Sequence, residues 1–153
     1  MGEEEIFQYF TQNYLVSPRK ALLALETERN EREILARSLP ESFSLYISIP
    51  FCPTRCSYCS FVSQDMRGAT KLVPDYLSKL CQELGVIGEK VRRWGLRLQT
   101  VYFGGGTPTT LSAKQLELLL KCVEKQFDLS SCQEYTVEAG RPDTITREKL
   151  RVM

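Results

Sequence analysis

The 153-residue chain carries 20 basic and 19 acidic residues, six cysteines and no histidine. The two charge types are mixed along the chain and the net charge is +1, so the sequence has no basic footprint for nucleic acid. No apolar stretch has the length of a membrane span, and the acidic start Met-Gly-Glu-Glu-Glu lacks the basic region of a secretory signal. We therefore expect a cytoplasmic protein whose thiols stay reduced.

Residues 1–40 are predicted to form a charged, helical N-terminal extension. Ser17 and Pro18 are residue types that start helices, so a second helix is expected to begin there. Its apolar side could pack on the domain that follows or on a segment outside this chain. That side is predicted to consist of Leu22, Leu23, Leu25, Ile34 and Leu35.

From residue 41 the chain alternates strand and helix patterns. The β-rich run 44–49 ends at Pro50 and predicts the first strand. Apolar residues spaced three or four apart then predict an amphipathic helix over residues 73–94, which Gly95 can close. The stripe consists of Val73, Leu77, Leu80, Leu84, Ile87, Val91 and Trp94.

Two further strand and helix pairs follow. The second strand, 98–103, is expected to stop at a run of three glycines, Gly104-Gly105-Gly106. Ser112 and Gln115 have the spacing of a capping box for the next helix. The third strand covers residues 134–138, and either Thr144 or Thr146 could cap the helix after it.

This alternation predicts an α/β fold with a parallel sheet, either doubly wound or closed into a barrel. Three βα units fall short of an eight-stranded barrel of about 250 residues. We therefore expect residues 41–153 to form the N-terminal part of a longer domain. Because active sites of such folds lie at the carboxyl ends of the strands, the segments after the three strands should converge on one edge.

Three thiols follow the first strand as Cys52, Cys56 and Cys59, with the spacing C-x3-C-x2-C. Iron–sulfur clusters normally have four cysteine ligands, so three thiolates favour a cluster with one open iron that can bind a small molecule. Zinc is disfavoured because no histidine is present. A redox pair of Cys56 and Cys59 is a further alternative, but it leaves Cys52 without a role.

The other three cysteines are not predicted to be functional residues. Cys81 and Cys122 lie on the apolar stripes of predicted helices, where a small buried hydrophobe is the expected role. Cys132 precedes the third strand and suggests no chemistry.

The segment Tyr46-Ile-Ser-Ile-Pro-Phe-Cys52, the rest of the cysteine motif and the run 104–109, Gly-Gly-Gly-Thr-Pro-Thr, together resemble radical S-adenosylmethionine (SAM) enzymes. Within that superfamily the chain is similar to oxygen-independent coproporphyrinogen III dehydrogenases. Residues 137–144 resemble a branch found in anaerobic bacteria, and the resemblance runs from about Leu45 to Met153. It implies a partial (β/α) TIM barrel, of which this chain would supply the first three βα units.

The resemblance also implies a set of site residues. The three motif cysteines would bind three irons of a 4Fe–4S cluster, and the fourth iron would chelate the amino and carboxylate groups of SAM. Tyr58 would lie near the adenine and Tyr46 beside the cofactor, although both could be ordinary loop or strand aromatics. The SAM contacts would further include Gly105, Gly106, Thr107 and Glu138.

The implied reaction is oxidative decarboxylation of coproporphyrinogen III to protoporphyrinogen IX, with an electron donor such as a flavodoxin or ferredoxin. One residue departs from this pattern: Phe61 stands where the best-known dehydrogenases carry another cysteine two positions after the third ligand. Related haem chaperones also lack that cysteine. A haem-binding chaperone is therefore the alternative to the dehydrogenase.

Overall fold

The computed structural model describes residues 2–153, which divide into two compact units between Pro40 and Glu41. The first unit contains helices α1, Glu3–Asn13, and α2, Pro18–Ala36. Ser17 is the N-cap of α2 and Pro18 lies in its first turn, as predicted.

Only part of the predicted apolar side of α2 is buried within the chain. Leu25 is buried together with Ala21, but the remaining four residues are 58–71% exposed. Ala21 and Leu25 are four residues apart and therefore share one side of the helix, whereas Leu22, Leu23 and Ile34 lie at other angles around its axis. Leu35 lies on the side of Ala21, near the end of the helix. The exposed residues are Leu22, Leu23, Ile34 and Leu35.

The second unit has the predicted alternation of strands and helices. Its strands are β1, Ser42–Ile49; β2, Phe51–Cys52; β3, Gln64–Asp65; β4, Arg97–Gly105; and β5, Glu134–Val137. Its helices are α3, Met66–Ala69; α4, Val73–Trp94; α5, Ala113–Gln126; and α6, Arg147–Val152. Short 3-10 turns cover Thr70–Leu72, Pro108–Thr110 and Pro142–Thr144.

Strands β1, β4 and β5 form a parallel sheet in that order, which confirms the predicted α/β class. Strand β4 continues to Gly105, two residues past its predicted end, because Gly105 pairs with Ile49 at the end of β1. Pairing with a neighbour thus overrides the low strand preference of glycine. Strands β2 and β3 also pair, so Cys52 lies in a short strand opposite Asp65.

One face of the sheet packs against α4 and α5 to form the hydrophobic core. Its strand residues alternate along β1 and β4 and are almost fully buried: Leu45, Ile47, Ile49, Val101 and Phe103. Gly95 closes α4 with a left-handed backbone, φ 67°, as predicted. Trp94 was predicted to be in the stripe of α4 but is 64% exposed, because the chain already turns away there through Gly95.

The ends of α5 and α6 have side-chain caps. Ser112 Oγ accepts from the Gln115 amide, and Gln115 Oε1 accepts from the Ser112 amide, so the predicted capping box is confirmed. Thr146 rather than Thr144 caps α6, since its hydroxyl accepts from the Lys149 amide.

The cysteines outside the motif pack partly against the core. Cys81 and Cys122 come from the facing helices α4 and α5, and Cys122 Sγ lies 3.8 Å from the Cys81 carbonyl. Burial raises the pKa of Cys81 to about 12, so this thiol stays protonated at neutral pH. Cys132 is also partly buried. No helix among residues 2–153 is both long enough and apolar enough to cross a membrane.

Candidate functional site

The carboxyl ends of β1, β4 and β5 lie side by side at one edge of the sheet. Ile49 pairs with Gly105, and Phe103 pairs with Val137. The Glu138 amide donates to the Phe103 carbonyl at 3.0 Å, which extends the pairing one residue past β5. We call this edge the rim; its three segments are residues 50–59, 104–110 and 138–144.

Hydrogen bonds from the glycine segment hold Cys52 at the rim. The Gly106 amide donates to the Ile49 carbonyl at 2.9 Å, and the Thr107 amide donates to the Phe51 carbonyl at 2.9 Å. The Thr107 hydroxyl also lies 3.5 Å from Cys52 Sγ, to which it donates. The first motif cysteine and the glycine segment are therefore in direct contact.

This close approach requires glycine at two positions. A Cβ added to Gly106 would lie 2.8 Å from the Phe51 carbonyl oxygen and 2.9 Å from Cys52 Sγ. Gly105 has φ +102°, a conformation that other residues rarely adopt, and its added Cβ would lie 2.6 Å from Ser48 Oγ. The glycine run is thus more than a flexible turn, because the end of β1 and the segment that carries Cys52 occupy the space that side chains would need.

Cys56 and Cys59 lie on the exposed part of the same loop. Both are partly exposed, and the Cys59 amide donates to the Cys56 carbonyl at 3.1 Å. Tyr58 between them is 88% exposed. A hydrogen bond with the Cys56 side chain and the charge of its thiolate raise the pKa of Tyr58, so the two side chains are neighbours.

The thiols of the three motif cysteines are a suitable set of ligands for an iron–sulfur cluster. Within residues 2–153, no three His, Cys, Asp or Glu side chains are grouped to hold one shared metal ion. In an iron–sulfur cluster each thiolate binds a separate iron, so the sulfurs need not meet at a single point. All three thiols are free, partly exposed and soft ligands of the type that such clusters use. The residues present therefore fit a cluster with three protein ligands.

Tyr46, Tyr102 and Glu138 form a second group, on the sheet face opposite the core. Tyr46 and Tyr102 pair in register on β1 and β4, and their rings stack with centroids 5.9 Å apart and planes at 13°. The Tyr102 hydroxyl donates to Glu138 Oε1 at 2.6 Å. This hydrogen bond raises the pKa of Tyr102, which keeps the hydroxyl protonated and able to donate.

Arg141 joins the third rim segment to the cysteine loop. Its guanidinium donates to the Thr54 carbonyl at 3.1 Å and to the Thr54 hydroxyl at 3.2 Å. The same group forms an ion pair with Asp143 at 3.2 Å. Thr54 lies between Cys52 and Cys56, so a residue 87 positions away contacts the middle of the motif.

A buried polar cluster connects the glycine segment to the segment after β5. The hydroxyls of Thr109 and Thr144 lie 2.6 Å apart, and Thr144 also donates to the Arg141 carbonyl at 2.8 Å. Lys149 Nζ donates to the carbonyls of Thr109 at 2.7 Å and Thr144 at 2.8 Å. These bonds satisfy the buried hydroxyls of Thr109 and Thr144 and hold two rim segments together.

A cavity of about 350 Å³ opens between these two segments, lined by residues 106–108 and 138–141. Its size lies within the range of small-molecule sites, and Glu138 supplies a carboxylate to its wall. A larger cavity of about 690 Å³ lies between α4 and α5, away from the rim. We assign the smaller cavity to the site because it adjoins the motif residues.

The structure brings the predicted residues together in three groups. The groups are Cys52 with Gly105, Gly106 and Thr107; Cys56 and Cys59 with Tyr58; and Tyr46 with Glu138, joined through Tyr102.

Tyr102 and Arg141 were not predicted as site residues. The alternation along β4 could have placed Tyr102 on the non-core face, but its bond to Glu138 depends on strand register.

Comparisons with known proteins identify relatives of this chain. Over its whole length the chain is 38% identical to the oxygen-independent coproporphyrinogen-III oxidase-like protein HemZ of Bacillus subtilis, and it covers 31% of that protein. It is also 38% identical over 110 residues to the heme chaperone HemW of Lactococcus lactis; the match includes 72% of this chain and 27% of HemW.

A solved structure, that of coproporphyrinogen III oxidase (HemN) from Escherichia coli, described as a radical SAM enzyme, matches with a TM-score of 0.54 and 28% identity. The match includes 69% of this chain and 24% of the solved chain, so the chain spans about a third or less of the length of these relatives. The sequence profile of the radical SAM superfamily matches residues 46–153, which contain the whole rim. The chain therefore belongs to the radical SAM superfamily.

Proposed function

We propose that the rim binds a 4Fe–4S cluster through Cys52, Cys56 and Cys59, with SAM on the iron that has no protein ligand. The observation that carries this proposal is the direct contact of Cys52 with Gly106 and Thr107 at the carboxyl ends of parallel strands. That contact brings the cysteine loop against the cavity beside Glu138. A ligand in the cavity would thus lie close to the cluster.

The glycine segment and Glu138 are proposed to hold SAM. Gly105, Gly106 and Thr107 would contact its methionine part through the backbone, since no side chain at either glycine blocks the approach. Glu138 would accept hydrogen bonds from SAM, and the Tyr102 hydroxyl fixes the position of its carboxylate. Bound in this way, SAM would be oriented from both walls of the cavity.

Tyr58 and Tyr46 are proposed to complete the SAM site. The exposed ring of Tyr58, between the second and third cysteines, is available to contact the adenine. Tyr46 stacks on Tyr102 and is 61% exposed on the non-core face of the sheet, where it would flank the cofactor.

A bound and reduced cluster would supply the one-electron, reductive cleavage of SAM, with Cys52, Cys56 and Cys59 as its protein ligands. We propose that the protein uses this chemistry to convert propionate side chains of coproporphyrinogen III to vinyl groups, with a flavodoxin or ferredoxin as the donor of the electron that cleaves SAM. Each propionate would lose one hydrogen atom to the radical and then CO2 and one electron, which passes to a separate one-electron acceptor. The names of HemZ and of the solved coproporphyrinogen III oxidase support this substrate. The residues of the chain would bind and orient SAM, while the cofactors perform the radical chemistry.

A haem chaperone is the second candidate function. The similarity to HemW of Lactococcus lactis, over 72% of this chain, favours it. Phe61 also favours it, because the dehydrogenase pattern has a cysteine at that position. In this case the same rim would support haem binding or transfer instead of porphyrinogen turnover.

The test is an anaerobic assay of the protein encoded by the complete reading frame that contains this chain. Reconstituted protein would be supplied with SAM, a reductant and coproporphyrinogen III, and both 5′-deoxyadenosine and protoporphyrinogen IX would be measured. Cys56→Ala removes a proposed ligand, and Cys132→Ala is the matched control outside the motif.

The proposal predicts both products from the parent and from Cys132→Ala, and neither from Cys56→Ala. SAM cleavage without protoporphyrinogen, together with stoichiometric haem binding, would favour the chaperone. A protein that binds no iron and forms a reversible Cys56–Cys59 disulfide would instead be a thiol redox protein, and the proposed function would be wrong.

A further inference from the structure

Arg141 is a charged side chain at the rim that neither the cluster nor the SAM proposal uses. Its side chain is only 28% exposed, although arginine side chains usually extend into water. The guanidinium faces Thr54 on one side, with two hydrogen bonds, and Asp143 on the other. Bidentate hydrogen bonds from a planar guanidinium fix the position of Thr54 and of Asp143 relative to Arg141.

The backbone of Arg141 is held as firmly as its side chain. Its carbonyl accepts from both the amide and the hydroxyl of Thr144, at 3.0 and 2.8 Å. Thr144 in turn bonds to Thr109 in the glycine segment. A continuous series of hydrogen bonds therefore joins all three rim segments, from Thr54 through Arg141 and Thr144 to Thr109.

The position of Arg141 also matters electrostatically. The hydrogen bonds and the charge of Asp143 raise the pKa of Arg141. Thr54, to which the guanidinium donates, lies two positions from both Cys52 and Cys56, so the positive charge lies beside the cysteine loop. A permanent positive charge beside a cluster stabilises the additional electron of the reduced form.

We propose that Arg141 is a positioning residue that holds the loop between Cys52 and Cys56 in place before the cluster binds, and that its charge favours the reduced cluster afterwards. The first half of this inference, that Arg141 positions the loop, concerns the iron-free protein and can be tested without a cluster. The second half, that its charge favours the reduced cluster, rests on the proposed cluster site.

Trypsin provides a test of the first half, because Arg55 is an exposed cleavage site inside the loop. Loss of Arg141 removes no cleavage site, since Pro142 follows it and blocks trypsin. Brief proteolysis of the reduced, iron-free protein would measure cleavage after Arg55 by mass spectrometry. Cleavage after Lys90, four residues before the end of α4, is the internal reference for unfolding outside the loop.

We expect Arg141→Gln to be cleaved about tenfold faster after Arg55 than the parent, with unchanged cleavage after Lys90. Arg141→Lys should give an intermediate rate, because it keeps the charge but loses the planar fork. Arg93→Gln is the matched control, since it removes the same charge near the end of α4, at the opposite edge of the sheet. Equal cleavage after Arg55 in the parent and Arg141→Gln would overturn the positioning role.

The reduction potential of the reconstituted cluster tests the second half. We expect a more negative potential in Arg141→Gln, and a potential close to that of the parent in Arg141→Lys and Arg93→Gln. Equal potentials in the parent and Arg141→Gln would overturn the effect of the charge. A parent protein that takes up no iron would overturn the proposed function and with it this second half, whereas the proteolysis result would still decide the first.

Discussion

The two faces of the β1–β4–β5 sheet have the same backbone and opposite chemistry. The face toward α4 and α5 is apolar and almost completely buried, with Ile47, Val101 and Phe103 each at most 1% exposed. The other face carries Tyr46 and Tyr102, which stack on each other, and the Tyr102 hydroxyl donates to Glu138. One face stabilises the fold, and the other leaves polar and aromatic side chains available to a ligand.

The difference between the faces shows that adjacent residues of one strand can have different roles, one in stabilising the fold and the next in contacting a ligand. Side chains alternate between faces along a strand, so Tyr102 and Phe103 point in opposite directions although they are adjacent. Substitutions on the core face should act on stability, and substitutions on the other face or the rim should act on cofactor binding. The following predictions test that separation, from the largest expected effect to the smallest.

The first prediction compares Phe103→Ala with Tyr102→Ala. Phe103 is 1% exposed and surrounded by core residues, so its removal should lower the free energy of unfolding by about 3–5 kcal/mol. Tyr102→Ala should cause a clearly smaller loss, because the core does not depend on its ring. Denaturant unfolding of the iron-free protein measures both, and equal losses would show that the two faces are not separate.

The second prediction concerns the approach of Cys52 to the glycine segment. Gly106→Ala would force a methyl group against the Phe51 carbonyl and Cys52 Sγ, at a cost of about 1–3 kcal/mol, and should remove most of the bound iron. Gly85→Ala, in α4 and away from the rim, is the matched control, because an added Cβ there meets no atom closer than 3.9 Å. Iron and sulfide would be measured after reconstitution, and normal loading of Gly106→Ala would contradict the proposed position of Cys52.

The third prediction isolates the hydrogen bond between Tyr102 and Glu138. Tyr102→Phe removes only the hydroxyl that holds the carboxylate, so the Kd for SAM should rise about tenfold while iron content stays the same. Tyr135→Phe, which removes a hydroxyl from the neighbouring strand β5, should leave the Kd unchanged. Equilibrium dialysis with SAM measures both, and an unchanged Kd in Tyr102→Phe would show that this bond does not orient Glu138 for SAM.

The fold and the motif positions could be predicted from local patterns. The capping box of Ser112 and Gln115, the left-handed Gly95 and the strand and helix alternation each depend on residues close in sequence. The convergence of the motifs on one edge followed from the rule that parallel strands end together. These parts needed no knowledge of tertiary contacts.

The features that sequence reasoning missed depend on contacts between distant residues. Tyr102 reaches Glu138 across 36 positions, and Arg141 reaches Thr54 across 87. Periodicity cannot reveal either contact, because both depend on how the strands are paired and on the path of the loops. The extension of β4 to Gly105 has the same origin, since pairing with β1 decides where the strand ends.

The most direct test of the central claim is electron paramagnetic resonance of the anaerobically reconstituted and reduced protein, with and without SAM. We predict a cluster signal that changes when SAM is added, because SAM binds the iron that lacks a protein ligand. Cys132→Ala should behave in the same way, and Cys56→Ala should lose the signal. A signal that SAM does not alter, or an intact signal in Cys56→Ala, would contradict the assignment of the rim as a radical SAM site.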